Sequence, residues 1–399
     1  MPTVLPATMV CRPLAATRPF PAVPGDRPDA GTGKCPSLNR RQFAAMAGAL
    51  AVGLALPRPA RADAGAPLWK LAADKGLAFG TAVSGKALRD PNYTALLQSE
   101  CRVIVAENAF KWRFMEPEQN GRVRAFVGKK IAKFAAENDM ALRGHTVYFH
   151  QATPDWADKA AQSGDRDALI EARINSLMDS FGDQVISWDV ANEILRPEDG
   201  QPLGLRKDPF LGDDPLDVVV EMFKMTRDRA PHAELVYNEW CLPHDDWYFN
   251  ARRDAILKLC ETLLKRGAPM QAIGIQSHLN ERKGPWDSHL WTKFLDDLAG
   301  MGLAIHLTEL DISDVGREPT EERDRELADE VRKYLDVTLG NTAVKSVLTW
   351  GLSDRFGATR LMHPRKDKTL PRSLPYDVNY RVKPMRDAIA QALVHAPGR

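Results

Sequence analysis

Two glutamates lie in apolar segments, beside residues that suggest a catalytic role. Glu193 ends the segment Val185–Glu193, and Glu309 lies in the segment Ala304–Ile312. Two carboxyl groups that face each other suit hydrolysis of a glycosidic bond, in which one protonates the leaving oxygen and the other meets the anomeric carbon. A carboxyl separation of about 5–5.5 Å indicates retention of configuration, and a wider gap indicates inversion. The residue types leave that choice open, and they equally allow two salt-bridge partners in a core.

The residues beside each glutamate favour catalysis. Gln276 and His278 lie two positions apart in one predicted strand, and Glu309 and Asp311 lie two apart in the next. Side chains two positions apart in a strand point to the same face. Asp311 can therefore orient the imidazole of His278, which in turn holds the carboxylate of Glu309 in its ionised form.

The first glutamate has a different neighbour. Asn192, directly before Glu193, is placed to bond a sugar 2-hydroxyl, an interaction that strengthens in the transition state of glycoside hydrolysis. Glu193 needs a raised pKa to act as an acid, and desolvation together with a nearby negative charge would provide it. These neighbours predict an acid at Glu193 and an ionised carboxylate at Glu309.

Short β-rich segments alternate with longer amphipathic segments along the chain from Leu77. The predicted strands are Leu77–Val83, Val103–Asn108, Ala141–Phe149, Val185–Glu193, Glu234–Trp240, Ala272–Leu279, Ala304–Ile312 and Ser346–Asp354. The predicted helices include Gly128–Asn138, Ala168–Phe181, Leu216–Ala230, Arg252–Arg266, Trp291–Met301, Thr320–Leu339 and Val382–Val394. This alternation predicts right-handed crossovers and a parallel sheet. Eight such units predict an α/β protein with a (β/α)₈ TIM barrel. No glycine-rich phosphate loop follows the first strand, so a dinucleotide-binding fold has little support.

Polar residues end nearly every predicted strand, where barrel enzymes place their chemistry. In strand order they are Glu107 and Asn108, His145, Asn192 and Glu193, Asn238 with Glu239 and Trp240, Gln276 and His278, Glu309 and Asp311, and Trp350. A purely structural barrel does not need carboxylates, amides, imidazoles and indoles at these positions. The pattern predicts an active site at the barrel mouth.

The first 64 residues are predicted to be an export leader, and residues 65–399 a single catalytic barrel domain. Arg40 and Arg41 precede a short apolar run, Ala44–Leu56, and the sequence Ala62-Asp63-Ala64 follows. Paired arginines before such a run indicate the twin-arginine export route. The run is too short for a permanent membrane span. The expected location is periplasmic or extracellular.

Charge and cysteine content exclude several classes of function. Residues 1–64 hold eight of the 54 Lys and Arg but only three of the 53 Asp and Glu, so residues 65–399 carry a net charge of −4. This mildly acidic body has no basic surface for nucleic acid or anionic membranes. Cys101, Cys241 and Cys260 lack zinc-site spacing. Cys241 and Cys260 either form a disulfide or remain buried thiols.

Six segments, in order, resemble the motifs of family 10 glycoside hydrolases, the endo-β-1,4-xylanase family. Trp188–Glu193 resembles the acid/base motif, and Leu307–Ile312 resembles the nucleophile motif. The other four are Glu107-Asn108 with Lys111-Trp112, Arg143–Thr146, Ile275–Leu279 and Trp350–Leu352. The resemblance extends from about Leu77 to Ala392. It implies a retaining enzyme without metal or cofactor, in which Glu193 is the acid/base and Glu309 the nucleophile.

The same resemblance implies roles for the other mouth residues. His145, Asn192, Gln276 and His278 would line the subsite of the covalent intermediate. Glu107, Asn108 and Lys111 would bind the next sugar on the non-reducing side, although Lys111 could also be a solvated charge. Asn238 and Trp240 would lie near the leaving group, and Trp350, at a strand end, can form the floor of a sugar site. The expected partner is xylan or its oligosaccharides, and a monomer is expected.

Two alanines depart from the family pattern. Ala152 and Ala358 stand where the family usually has Gln and a second Trp, which crowd the C5 position of the sugar. A roomier pocket would tolerate sugars with a C5 substituent, such as glucose, unless Gln151 or Phe356 fills the space. The alternative function is therefore a glycosidase of the same mechanism acting on another β-linked glycoside.

Other interpretations have less support. His145, His278 and Glu309 could be metal ligands, but no tight pair of histidines supports this. A non-catalytic carbohydrate-binding barrel would have lost one of the two carboxylates. His150 and His306 are expected to be structural. Four tryptophans are predicted to be packing residues: Trp69, Trp156, Trp188 and Trp247.

Overall fold

A closed parallel β-barrel forms the centre of the molecule, in a computed structural model that describes residues 65–280, 286–314, 318–359, 364–365 and 367–399. Its ten strands are β1 (Ala78–Val83), β2 (Val103–Ala106), β3 (Ala141–Gly144), β4 (Tyr148–Phe149), β5 (Val185–Asn192), β6 (Glu234–Glu239), β7 (Ala272–Ile275), β8 (His278–Leu279), β9 (Ala304–Ile312) and β10 (Val344–Thr349). β10 pairs with both β1 and β9, which closes the sheet. The predicted (β/α)₈ barrel is confirmed. The predicted leader, residues 1–64, lies outside the described residues.

Two predicted strands are each interrupted near the barrel mouth. The third predicted strand consists of β3 and β4, and both pieces pair with β5. The sixth consists of β7 and β8, and both pieces pair with β9. Ser277, between β7 and β8, has a φ of +60°, a left-handed conformation that a continuous strand cannot contain. The barrel therefore keeps eight strand positions around its circumference.

The last strand is shorter than predicted. β10 ends at Thr349, whereas the apolar pattern predicts a strand through Asp354. Gly351 has a φ of +112°, which ends the extended conformation and favours glycine. Trp350 therefore lies just beyond the strand, at the mouth.

Helices connect the strands on the outside of the barrel. They are α1 (Leu68–Ala73), α2 (Pro91–Glu100), α3 (Trp112–Met115), α4 (Phe126–Glu137), α5 (Asp155–Ala160), α6 (Arg166–Phe181), α7 (Pro215–Arg229), α8 (Trp247–Lys265), α9 (Ser288–Gly300), α10 (Glu321–Thr338) and α11 (Pro384–His395). α8 begins five residues before the predicted start at Arg252. Asp246 accounts for this, because its carboxylate accepts hydrogen bonds from the backbone N–H groups of Tyr248 and Phe249, each at 2.9 Å.

Tight packing between β3 and β5 requires a glycine. A Cβ at Gly144 would lie 2.1 Å from the ring of Trp188, which is fully buried. Trp188 thus packs directly against the backbone of β3. Three of the four tryptophans predicted to be packing residues are so: Trp188 lies in the core, and Trp69 and Trp156 pack against it, partly buried.

Two further features of the described residues are the state of the cysteines and the length and polarity of the helices. Cys101, Cys241 and Cys260 are free and buried, so the disulfide alternative for Cys241 and Cys260 is wrong. None of the helices in the described parts of the chain is long and apolar enough to cross a membrane.

Candidate active site

Glu309 lies on β9 at the mouth, with its side chain almost completely buried. Its Oε2 is 3.4 Å from Nε2 of His278, and Nδ1 of His278 is 2.6 Å from Oδ1 of Asp311. Thr359 donates a hydrogen bond of 3.2 Å to the other oxygen of Asp311. The order of contacts predicted from strand parity, Asp311 to His278 to Glu309, is present even though β7 and β8 are separated. Thr359 was not predicted, because nothing in a single Thr after a strand signals this contact.

Glu193 directly follows β5 and has a φ of +50°. A left-handed conformation is uncommon for a residue with a side chain and is found preferentially at functional sites. Its backbone N–H donates to the carbonyl of Asn238 at 2.9 Å. Its Oε1 accepts a hydrogen bond of 3.3 Å from Nε2 of Gln276.

Gln276 brings the two carboxylates into one site. Its side chain contacts Glu193, and its backbone carbonyl accepts a hydrogen bond of 3.0 Å from the N–H of Glu309. Both glutamate side chains are at most 3% exposed. The two glutamates, which are far apart in the sequence, therefore flank a single residue at the barrel mouth.

An amide pair lies beside Glu193. Nδ2 of Asn238 donates to Oδ1 of Asn192, and both side chains are fully buried. Within the described residues, Nδ2 of Asn192 has no hydrogen-bond partner. A buried donor without a partner is costly. The bond from Asn192 to a sugar 2-hydroxyl stays a prediction, and this unpaired donor agrees with it.

Three polar residues after β2 form a second part of the site. Asn108 donates to Glu107 at 3.0 Å, and Lys111 donates to Asn108 at 2.8 Å. The ammonium of Lys111 is 5.9 Å from the ring centre of Trp350. Lys111 is thus half-buried and held by Asn108 beside Trp350, and its contact with a ligand stays a prediction.

Trp350 joins this group to the carboxylates. Its ring lies edge-on to His145, with ring centres 5.5 Å apart, and edge-on to His278, at 6.4 Å. Its side chain is 5% exposed. An indole in this position can form a rigid, apolar floor between the two sides of the cleft.

Asp189 and Arg143 are buried beside the mouth residue His145, although their positions within the strands did not single them out. Asp189 contacts Nδ1 of His145 at 2.6 Å and accepts a hydrogen bond of 2.8 Å from Arg143. Burial lowers the pKa of Arg143 to about 10, and the carboxylates of Asp189 and Glu309 oppose this shift. Arg143 therefore keeps its positive charge at neutral pH. The missed signal was an ionisable residue in the middle of each apolar strand, which requires a partner.

Trp240 is held rigidly on the other side of Glu193. The guanidinium of Arg252 lies 3.6 Å from its ring centre, and Nε of Arg252 donates to its carbonyl at 2.7 Å. Arg252 also pairs with Glu239. The planar guanidinium stacks on the indole and leaves the half-buried ring of Trp240 in a fixed orientation.

The two alanines that depart from the family pattern lie on the same face. Ala152 follows β4 and is 4% exposed. Ala358 is partly buried against Trp350 and its apolar neighbours. Phe356 packs edge-on against Tyr93, with ring centres 5.0 Å apart. Phe356 therefore packs against α2.

One prediction about packing is wrong. Trp247 was predicted to be a packing residue but is 80% exposed at the first position of α8.

His306, expected to be structural, is buried in the barrel interior, where its Nδ1 is 2.7 Å from the hydroxyl of Ser346. The described residues contain no group of three His, Cys, Asp or Glu side chains arranged to hold a metal ion.

The glycosyl hydrolase family 10 model matches residues 68–392. The chain belongs to this family. An endo-1,4-beta-xylanase A from Caldicellulosiruptor saccharolyticus is 33% identical over 299 residues, which cover 69% of this chain and 82% of that protein. An endo-1,4-beta-xylanase A from Phanerodontia chrysosporium is 30% identical and covers 82% of this chain and 76% of its own length.

Solved structures of the family have the same fold. A family 10 enzyme from Paenibacillus barcinonensis has a TM-score of 0.71 with 27% identity and covers 82% of this chain and 97% of its own. The xylanase 10B of Thermotoga petrophila RKU-1, solved with xylobiose, has a TM-score of 0.70 with 25% identity over the same shares of the two chains. The predicted resemblance to family 10 is confirmed.

Proposed function

We propose that the protein is a retaining endo-β-1,4-xylanase that hydrolyses internal β-1,4-xylosidic bonds through a covalent glycosyl-enzyme. The observation that carries this proposal is the single site formed by Glu193 and Glu309, with Gln276 between them and the His278–Asp311 pair behind Glu309. Family membership and the xylanase names of the relatives support the substrate class.

In the first step, the carboxylate of Glu309 attacks the anomeric carbon, and the bond from that carbon to the leaving oxygen breaks. Glu193 gives its proton to the leaving oxygen, so the leaving sugar departs as an alcohol. In the second step, Glu193 removes a proton from water, whose oxygen attacks the anomeric carbon and releases Glu309. Two inversions give overall retention.

The surrounding residues divide the substrate between two sides of the cleft. Glu107, Asn108 and Lys111 bind the sugar on the non-reducing side, while His145, Asn192, Gln276 and Trp350 surround the sugar that reacts. Asn238 and Trp240 contact the leaving group. Protein side chains carry every step in this scheme.

The test is reducing-sugar release from xylan, together with release of the phenol from an aryl β-xylobioside. Glu309→Gln should lower kcat on both substrates by several orders of magnitude, because the nucleophile acts within a cooperative unit. Glu193→Gln should lower activity on xylan far more than activity on an aryl glycoside whose leaving group needs no protonation. Glu318→Gln, an exposed glutamate, is the matched control. Full activity of Glu309→Gln would contradict the proposal.

A second candidate is a glycosidase of the same mechanism with a wider substrate range, favoured by the small side chains of Ala152 and Ala358 beside the mouth. Side-by-side assays on xylan, mixed-linkage glucan and soluble cellulose separate the two. Comparable release from the glucans supports the wider range. Efficient cleavage of aryl xylobiosides without cleavage of aryl cellobiosides contradicts it.

We also propose that the chain is exported and acts as a monomer without nucleic-acid partners. The support for export is the sequence from Arg40 to Ala64, which precedes the start of the family match at residue 68. Replacing Arg40 and Arg41 by Lys should retain the enzyme in the cytoplasm, as measured by cell fractionation. Unchanged export of this variant would refute the twin-arginine route.

A further inference from the structure

Exposed apolar side chains are distributed unevenly over the protein. Among the described residues, every large hydrophobic side chain that is clearly exposed lies in a connection that follows a barrel strand or in the first turn of a helix in that connection. They are Phe114, Val123, Phe126, Val127, Trp247, Leu290, Leu370 and Val382. These segments surround the mouth of a (β/α)₈ barrel. Apolar side chains that are exposed singly need no explanation, so only a member that continues into a larger aromatic surface indicates binding.

Trp247 is the extreme member of this set. It is 80% exposed, although tryptophan is among the residues that gain most from burial. Its position does not serve the helix, because the backbone N–H groups at the start of α8 are satisfied by Asp246. Neither core packing nor helix capping explains a tryptophan here.

A row of aromatic rings connects Trp247 to the active site. The rings of Trp247 and Tyr248 have centres 5.8 Å apart, and those of Tyr248 and Trp240 are also 5.8 Å apart. Trp240 directly follows β6, two residues after Asn238, whose amide bonds Asn192. The row therefore begins beside Glu193 and runs outward over the start of α8.

The row lies on the side of the cleft that receives the leaving group. Glu193 protonates the leaving oxygen in the proposed mechanism, and the row begins next to it. The residues that bind the non-reducing sugars, Glu107, Asn108 and Lys111, follow β2, whereas the row follows β6, across the barrel. A polymer that enters the cleft thus passes over the row on its reducing-end side.

We propose that Trp247 is a distal binding platform for the leaving-group portion of a β-1,4-linked xylan chain. The inference rests on the proposed function and extends it to a residue outside the catalytic cleft. The exposed indole face contacts the C–H face of a xylose ring that lies beyond the residue bound at Trp240. Such a platform favours long substrates, because only they reach it.

The experiment compares Trp247→Ala and Trp247→Tyr with the unaltered enzyme on three substrates: an aryl β-xylobioside, xylohexaose and soluble xylan. The aryl substrate occupies the leaving-group side with one ring only. Trp247→Ala should lower kcat/KM on xylohexaose and xylan by about threefold to tenfold, mainly through KM, and leave the aryl substrate unchanged. Its product pattern from xylohexaose should also shift. Trp247→Tyr should recover most of the loss, since it retains an aromatic face.

Leu290→Ala is the matched control, because Leu290 is an exposed apolar residue in the first turn of the neighbouring helix, α9. Leu290→Ala should leave kcat/KM unchanged on all three substrates. Binding of xylohexaose to Glu309→Gln, with and without Trp247→Ala, measured by calorimetry, separates binding from turnover. A weaker complex with Trp247→Ala is expected.

Three outcomes would overturn the inference. One is an equal loss on all three substrates, and another is no loss on xylohexaose. The third is a change in sedimentation from dimer to monomer in Trp247→Ala, which would assign the indole to contact between copies of the chain. If the unaltered enzyme cleaves neither xylohexaose nor xylan, the proposed function fails instead, and the two failures are thereby distinguished.

Discussion

Replacing Glu234 with Gln should stabilise the protein at neutral pH and above. Glu234 begins β6 inside the barrel, is 3% exposed, and lies 3.4 Å from Nε2 of His306. Burial raises the pKa of its carboxyl to about 10, although Arg143 and Arg227 lower it in part. Burial also lowers the pKa of His306 to about 3, so the imidazole is neutral. A protonated Glu234 and a neutral His306 therefore lie side by side without net charge.

The size of the effect follows from proton linkage. The ordinary pKa of this carboxyl is 4.5, so between pH 4.5 and about 10 the folded state holds a proton that the unfolded state has lost. Stability therefore falls as pH rises through this window, by up to about 1.4 kcal/mol per pH unit. At pH 7 the free energy of unfolding that is lost through Glu234 is about 3 kcal/mol. Gln has the same shape as a protonated Glu and does not titrate.

The assay is the free energy of unfolding in urea at pH 5, 6, 7 and 8 for the unaltered protein, Glu234→Gln and the exposed control Glu318→Gln. Relative to the unaltered protein, the gain in free energy of unfolding of Glu234→Gln should be small at pH 5 and grow with pH. The control should differ from the unaltered protein by a constant amount near zero. Activity should be retained, because Glu234 lies four residues before Asn238 along the strand, about 13 Å from the mouth. A difference that is independent of pH, or a variant less stable at pH 8, would refute the reasoning.

Two other substitutions test the site and the packing. Asp311→Asn removes the charge that orients His278, and kcat should fall by about tenfold to 100-fold with a changed pH profile of kcat/KM; an unchanged profile would show that Asp311 is not a positioning residue. Gly144→Ala places a Cβ 2.1 Å from the ring of Trp188 and should cost about 2–4 kcal/mol in thermal unfolding. Gly300→Ala, where a Cβ meets nothing within 4 Å, is the matched control and should be neutral or slightly stabilising; equal effects of the two would contradict the packing argument.

Much of the architecture could be predicted from local patterns. The eight strand–helix units follow from apolar periodicity, and parallel strands in a barrel place all their carboxyl ends on one face. Glu193 and Glu309 could therefore be assigned to one site from their positions at strand ends. The order Asp311, His278, Glu309 followed from the alternation of side chains along strands.

Other features depended on contacts between distant residues. The left-handed conformation of Ser277 separates β7 from β8, and apolar periodicity contains no signal for it. The partnership of Asp189 with Arg143 and His145 depends on the register between β3 and β5. Sequence spacing cannot specify such a register, because it is set by packing across the sheet.

Trp247 and Glu234 illustrate what the sequence by itself determines and what tertiary structure decides. The sequence determined the strand order and the end of the barrel at which Glu193 and Glu309 lie, because these follow from periodicity and chain direction. It could not determine the surroundings of a given side chain. Trp247 reads as a core residue but is exposed, and Glu234 reads as polar but is buried beside His306. Burial is a property of the assembled chain, since it depends on which distant segments cover a residue.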